Sequence, residues 1–315
     1  ASAMGSIIGP IEKDEGYDPN FSAAANIATA PTGLLIPPSN VMITFSLVSG
    51  GTSVAALFMA GYIPGALWAL ACMLVVYIYA KKAGYRSQTK LTGKEKFNAF
   101  IQALPCLLLI IIVIGGIIAG VFTATEGSVV AVVYSLLLSI YGYKSMKWKD
   151  LPEIFRSSAE MTGIIIFLIG VSSIMSWVMA FTNIPTMVSN GLLSISSNKY
   201  VILLMINIIL LVVGTFMDMT PATLIFTPIF LPVCTALGMN TIHFGIMLIF
   251  NLCIGTITPP VGTTLFVGVK VGGVKIETVF KHLLPYFFAI IVVLMLVTYI
   301  PQLSLWLPGL MGYVS

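Results

Sequence analysis

Between Tyr200 and Lys270 one charged side chain, Asp218, interrupts an otherwise uncharged stretch. It sits in Gly214-Thr-Phe-Met-Asp218-Met-Thr220-Pro-Ala-Thr223, a polar tip flanked by short apolar arms. A lone carboxylate in apolar surroundings is costly and marks a function by default. It has two readings here, a cap for the helix that follows and a ligand for a small cation. Downstream, Asn251-Leu-Cys-Ile-Gly255-Thr-Ile-Thr258-Pro-Pro-Val-Gly262-Thr263-Thr264 sets adjacent prolines among hydroxyls. Two successive prolines remove two N–H donors and unwind the preceding turn, which frees carbonyl oxygens. Carbonyls, hydroxyls and one carboxylate form an oxygen set that suits a hard cation such as Na+. A similar arrangement lies far upstream: Thr29, Thr32, Gly33, then Pro37-Pro38-Ser39-Asn40. Two related sodium sites are therefore expected. One draws on Thr32, Gly33 and Pro37, the other on Gly214, Asp218, Thr220, Gly255, Thr258 and Thr264. Thr29, Ser39, Asn40, Asp218, Asn251 and Thr263 are expected to contact an organic substrate, with helix N-termini favouring an anion. Neither Arg86 nor Arg156 lies in an apolar segment, so no Arg clamp on a carboxylate is available from these residues.

The elements that must position these groups are membrane helices. The 315 residues are 58% hydrophobic and 8% charged, against roughly 25% charged in soluble domains. No Asp, Glu, Lys or Arg occurs from Phe21 to Ala80 or from Phe97 to Thr125, and a transmembrane helix needs about 20 apolar residues. Soluble classes are excluded, and the net charge of +4 carries no nucleic-acid reading because the basic residues fall in short loops. Apolar blocks occur near 21–48, 55–80, 98–121, 127–143, 159–181, 200–217, 221–236, 243–269 and 279–306. Loops 81–96 and 144–156 hold most of the basic residues and are expected on the cytoplasmic side. Thr123-Ala-Thr-Glu126 reads as a capping box that opens a helix. Cys72, Cys106, Cys234 and Cys253 read as buried free thiols, and His243 and His282 as structural. The tip at Asp218, with arms near half a bilayer long, reads as a re-entrant hairpin, with Pro221 in the first turn of its second arm.

Sliding the chain by 222 residues superposes 1–65 on 223–287 without gaps. Pro10 falls on Pro232, Gly16 on Gly238, Gly33 on Gly255, Pro37-Pro38 on Pro259-Pro260, and Gly50-Gly51 on Gly272-Gly273. Gly and Pro mark backbone breaks, so the copies are expected to share broken-helix geometry. After the double proline copy one is uncharged from Ser39 to Ala60, whereas copy two holds Lys270, Lys275 and Lys281. Before it, copy one holds Glu12, Lys13, Asp14 and Glu15, whereas copy two is uncharged from Val233 to Thr241. The copies are therefore expected to face opposite sides of the membrane, as in many secondary transporters. Parity then makes 184–198 a short inward segment and places Lys199, with all 15 Lys and Arg, on the cytoplasmic side.

The Phe-Met-Asp218 tip, the run from Gly238-Met-Asn-Thr-Ile-His through Gly255-Thr-Ile-Thr-Pro-Pro-Val-Gly, Phe122-Thr-Ala-Thr-Glu126 and Pro37-Pro38-Ser39 resemble the large membrane subunit of TRAP (tripartite ATP-independent periplasmic) transporters. The resemblance covers essentially the whole chain. It implies an all-α integral membrane fold, an inverted-repeat elevator with re-entrant hairpins and broken helices. It assigns 1–54 and 214–275 to the transport domain, 55–213 to scaffold and connecting helices, and 276–315 to a C-terminal scaffold helix. Asp218 and Thr220 match the second hairpin tip; Gly33, Pro37, Gly255 and Pro259 match the broken helices. The copy-one equivalent of Asp218 would precede Ala1, so an upstream segment of the same subunit is expected to complete the first site. The implied function is sodium-driven import of an organic acid across the bacterial inner membrane, sialic acid being the first candidate. Implied partners are a small membrane subunit, separate or fused upstream, and a periplasmic substrate-binding protein in addition to the bilayer. Two other readings compete. A stand-alone divalent-anion/sodium symporter shares paired hairpins and prolines and is separated by the small subunit. An integral-membrane lipid-modifying enzyme requires clustered His, paired acids or a nucleophile–base pair, which these residues do not supply.

Overall fold

The computed structural model describes residues 2–85, 92–196 and 198–313, and every regular element among them is helical. Arg86 and Lys90 of the basic loop lie outside the described residues. The chain runs through α1 (Ser2–Asp14), α2 (Pro19–Thr29), the single turn α3 (Thr32–Leu35), α4 (Asn40–Val48) and the long α5 (Val54–Ala83). Next come α6 (Gly93–Ile118), α7 (Ala124–Leu137), which closes in a π-turn at Leu138–Gly142, and α8 (Leu151–Phe181). The remainder comprises α9 (Ile184–Ile195), α10 (Lys199–Gly214), α11 (Met219–Ala236), α12 (Thr241–Thr256), α13 (Thr263–Gly272), α14 (Ile276–Tyr299) and α15 (Gln302–Leu310). Among the described residues six helical stretches are long and apolar enough to cross a bilayer. The pair Pro19–Leu35 and Asn40–Val48, bent by 46° at the first double proline, would make a seventh.

These helices form two compact units, one of Gln88–Val171 and one of Ala1–Ser87 with Ser172–Ser315. Within the first, α6 and α7 pack as a hairpin, and Tyr134 donates a 2.9 Å hydrogen bond to the Pro105 carbonyl. Its α7 opens on the expected capping box: the Glu126 carboxylate accepts from the Thr123 amide at 2.8 Å. Cys106, on α6, is exposed there, unlike the buried Cys72, Cys234 and Cys253. The larger unit takes in more than the expected transport segments. α5 and α14, assigned from sequence to the scaffold, pack against each other and against α2 and α12 within it. They are the helices that follow each broken segment, and their buried faces complete its core.

The repeat is visible element by element. α1 ends at Asp14 and α11 at Ala236; α2 starts at Pro19 and α12 at Thr241; α5 starts at Val54 and α14 at Ile276, each pair 222 positions apart as are Pro31 and Cys253. Gly16 and Gly238 take positive φ of 83° and 73° in the turns after α1 and α11. Asp18 and Asn240 then cap α2 and α12 by accepting from the backbone N–H two residues on. Both double prolines contain a cis peptide. Packing is reciprocal: α1 lies on α13 and α11 on α4, while α2 meets α14 and α12 meets α5. The Cys253 thiol approaches the Pro31 carbonyl at 3.8 Å. Equivalent positions meet where a two-fold axis passes, so this contact marks the axis.

The two Gly-Asx turns occupy opposite ends of α14, whose 24 residues span about 36 Å. Near its start, His282 lies 3.8 Å from the Asp18 carboxylate and Thr278 donates to Asn20 at 2.7 Å. Near its end, the Val297 carbonyl pairs with His243 Nε2 at 2.8 Å, and Thr298 and Tyr299 line a small cavity with Gly238 and Asn240. The copies are thus inverted, as their charges suggest. His282 lies within α14. Lys199 is a correction to the parity argument. It lines the same cavity as Gly238 and Asn240, at the sparsely charged end, and not with the lysines of the other end. The reason is that the α10–α11 hairpin enters and leaves on one side, so α9 need not cross. Its 12 residues span about 18 Å, short of a hydrocarbon core of about 30 Å.

A buried amide network fastens this hairpin. Asn251 on α12 donates to Asn207 on α10 at 2.6 Å and to the Met247 carbonyl at 2.8 Å, and Asn207 donates to Thr298 on α14 at 3.1 Å. All three side chains are buried. Asn207→Ala strands two polar groups, each worth about 1–3 kcal/mol when buried and unpaired. The expected destabilisation is about 2–4 kcal/mol, read as a lowered thermal midpoint of the detergent-purified protein. Ile208→Ala, on the exposed face of the same helix, should leave the midpoint nearly unchanged.

Candidate functional site

The hairpin tip docks on the break of the second repeat through two glycines. A Cβ on Gly255 would lie 2.4 Å from the Gly214 carbonyl carbon and oxygen, so α10 and α12 approach backbone to backbone there. The Val261 amide, just past the double proline, donates to the Thr215 carbonyl at 3.3 Å. Loop residues that would leave bare polar groups inside a membrane therefore cover one another.

Asp218 occupies the N-cap position of α11, yet its side chain makes no capping hydrogen bond. Its Oδ1 instead accepts from Thr263, the first residue of α13, at 3.4 Å. The carboxylate thus reaches across from tip to broken helix instead of capping α11. Asp218 and Thr263 are both exposed, so an ion or solute can reach them. Thr220 and Thr264 are the second residues of α11 and α13, on the same two helix starts.

Other expected ligands carry hydroxyls that donate to carbonyls three or four residues back: Thr258 to Ile254 at 2.7 Å, Thr29 to Ala25 at 2.8 Å and Thr32 to Thr29 at 2.6 Å. A hydroxyl that donates keeps its lone pairs for another partner, so these remain competent cation ligands. Among the described residues no three His, Cys, Asp or Glu side chains come together. A cation here would therefore rely on hydroxyls, carbonyls and a single carboxylate.

In repeat one, Ser39 is buried and donates to the Leu34 carbonyl at 2.6 Å, while Gly33 and Asn40 are exposed. A Cβ at Gly33 would meet nothing within 4 Å, whereas its mate Gly255 is pressed against Gly214. Asn251 is set apart from the tip residues, held in the amide network below them.

A feature that residue types alone did not disclose is the pattern of helix starts. Helices α2, α5, α10 and α12 are capped by Asp18, Ser53, Asn198 and Asn240. Helices α4, α11 and α13, which begin at the first break, the tip and the second break, have no side-chain cap, and neither do α9, α14 and α15 elsewhere. Open N-termini present N–H groups and partial positive charge to an anion. Thr223 and Thr227, one turn apart on α11, were also missed; they are fully buried and their hydroxyls have no partner.

An inverted repeat of hairpin and broken helix, with a carboxylate, hydroxyls and open helix starts at the junction, defines the membrane subunit of a secondary transporter. A family model, Tripartite ATP-independent periplasmic transporter, DctM component, matches residues 1–303, and the chain belongs to that family. It is 52% identical over 310 residues to Uncharacterized protein YgiK of Salmonella typhimurium, covering 98% of this chain and 71% of that protein. It is 36% identical over 302 residues to the sialic acid TRAP transporter large permease protein SiaM of Vibrio cholerae, covering 96% and 70%. A C4-dicarboxylate TRAP transporter large permease protein, DctM of Rhodobacter capsulatus, is 34% identical over 323 residues, covering 98% and 73%. The protein is a multi-pass transporter permease and not an enzyme, which sets aside the lipid-modifying reading. Its family works with a small membrane subunit and a periplasmic binding protein, which sets aside the stand-alone symporter.

The glycine pair supplies a graded test. Gly255→Ala places a methyl 2.4 Å from backbone, whereas a Cβ at Gly214 meets the Gly255 Cα at 3.2 Å. Overpacking typically costs about 1–3 kcal/mol, so Gly255→Ala should lower the thermal midpoint clearly and Gly214→Ala less. Equal midpoints for both variants and the parent would contradict the backbone docking.

Proposed function

We propose that this chain carries sodium-driven import of an organic acid across the bacterial inner membrane, with substrate delivered by the binding protein. The observation that supports it most is the Asp218–Thr263 pairing of hairpin tip with broken helix, beside helix starts left uncapped. One Na+ would sit with Asp218, Thr220, Thr258, Thr264 and backbone oxygens near Gly214 and Gly255. A second would sit in repeat one with Thr32, Gly33 and Pro37, completed by an upstream segment of the subunit that covers Gly33. The substrate carboxylate would face the open starts of α4, α11 and α13, with Thr29, Ser39, Asn40 and Thr263 supplying neutral hydrogen bonds. Asn251, committed to the amide network, is left out of that set. The hairpins and broken helices of 1–54 and 214–275 would move together as the transport domain.

Neutral recognition of hydroxyls suits a polyhydroxylated acid, and sialic acid is our first candidate. The sialic acid and C4-dicarboxylate relatives stand at similar identity, so identity does not choose between them. Uptake of labelled acids into proteoliposomes that hold the complete permease decides. Sialic acid uptake should require both an inward sodium gradient and the binding protein. Asp218→Ala should cut it at least about tenfold, a transition-state loss of about 1.4 kcal/mol or more, with assembly intact on size-exclusion chromatography. Sodium-independent uptake, or full uptake by Asp218→Ala, would overturn the coupling, and preference for succinate would replace the substrate.

A further inference from the structure

The repeats share a backbone but not a filling. In repeat two the interface of α11, α12 and α4 is solid: Phe244 and Leu248 are fully buried, and a Cβ on Gly245 would meet the Phe45 ring at 2.5 Å. The equivalent positions to Phe244 and Leu248 are Ser22 and Asn26, and those of Thr227 and Leu231 are Gly5 and Gly9. In place of aromatic packing, α1, α2 and α13 enclose a cavity of about 380 Å3 lined by Gly9, Lys13, Ser22, Asn26, Gly268 and Gly272, among others.

Its polar groups are placed for a ligand. Ser22 is 6% exposed and lines the space beside the Glu12 carboxylate. Glu12 is near enough to Ser22 to feel its hydroxyl dipole, and it accepts from Asn26 Nδ2 at a long 3.4 Å. Lys13 stands at the edge, exposed. A carboxylate and an amide accept and donate to hydroxyls, and an ammonium pairs with a carboxylate. We propose that this cavity is a second ligand site, taking a small hydroxylated carboxylate from the highly charged end of the unit. Lys13 holds the carboxylate, and Ser22 and Asn26 bind the hydroxyls, with Glu12 as the partner that orients Asn26. It is separate from the tip, because Thr263 and Gly272 stand at opposite ends of α13, whose 10 residues span about 15 Å.

A thiol at Gly9 reports on it, since a Cβ there meets nothing within 4 Å. The complete permease is used with Cys106, the exposed native thiol, replaced by Ser. A membrane-impermeant maleimide should label Gly9→Cys about tenfold or more faster than Thr227→Cys, a buried position in repeat two. With millimolar affinity, about 10 mM gluconate should slow Gly9→Cys labelling roughly tenfold, and hexanoate or sorbitol, each with half the chemistry, much less. Adding Lys13→Gln should abolish the gluconate effect while labelling without ligand stays fast. Labelling as slow as at Thr227→Cys, no protection by gluconate, equal protection by sorbitol, or protection that survives Lys13→Gln would each overturn the proposal. None of these readouts depends on transport or sodium.

Discussion

A helix interrupted inside a membrane leaves backbone donors and acceptors where no water can reach them, at several kcal/mol for each unpaired group. The larger unit is organised around that constraint. The break between α12 and α13 is tolerated because the α10–α11 tip is itself an interruption, placed against it with Gly214 on Gly255 and the Thr215 carbonyl accepting from Val261. Each irregular segment supplies what the other lacks. The groups left over are those a solute could use: the Asp218 carboxylate, threonine lone pairs and three helix starts without caps. The site thus consists of the polar remainder of a packing solution, held by the Asn251–Asn207–Thr298 network below it.

Inversion explains why one motif serves two roles. The turns capped by Asp18 and Asn240 are alike in backbone, yet they stand at opposite ends of α14 and so meet different surroundings. Asp18 faces His282 amid lysines, whereas Asn240 lies beside the lone Lys199. Side chains have diverged to match. Thr29 donates to its own helix while its mate Asn251 ties α12 to α10, and Ser22 lines a cavity where Phe244 fills the space. A backbone that folds by symmetry leaves its side chains free to specialise, and the polar differences between mates mark where they have.

Much of this was legible because Gly and Pro act on the backbone directly. Gly16, Gly33, Gly51 and the double prolines forecast the repeat, and the Thr123–Glu126 spacing forecast its capping box, since each is a local geometric demand. What spacing could not show was what depends on neighbours. The parity count assumed that each apolar segment crosses, and so put Lys199 on the wrong side; a re-entrant hairpin returns the chain without crossing. Asn251 lies one turn before Gly255, but its amide is turned to Asn207 on α10, and spacing in a helix apolar all round does not reveal faces. The grouping of α5 and α14 with the hairpins is likewise tertiary, because a long apolar helix reads the same whatever it packs on.

The missing caps bear on how a cation and an anion could share one junction. A helix start carries about half a positive unit charge, which an N-cap carboxylate would normally absorb. Asp218 stands at the start of α11 but reaches to Thr263 at the start of α13, so one negative charge lies between two positive ends. Without a cation, that charge offsets the helix starts and repels an incoming carboxylate. On the sodium reading, Na+ at Asp218 cancels the repulsion while leaving the N–H groups of both helices open, so the anion meets a net positive site only after the cation has bound. Coupling would then follow from electrostatics at fixed geometry, and a conventional side-chain cap on α11 would remove it by satisfying the helix start permanently.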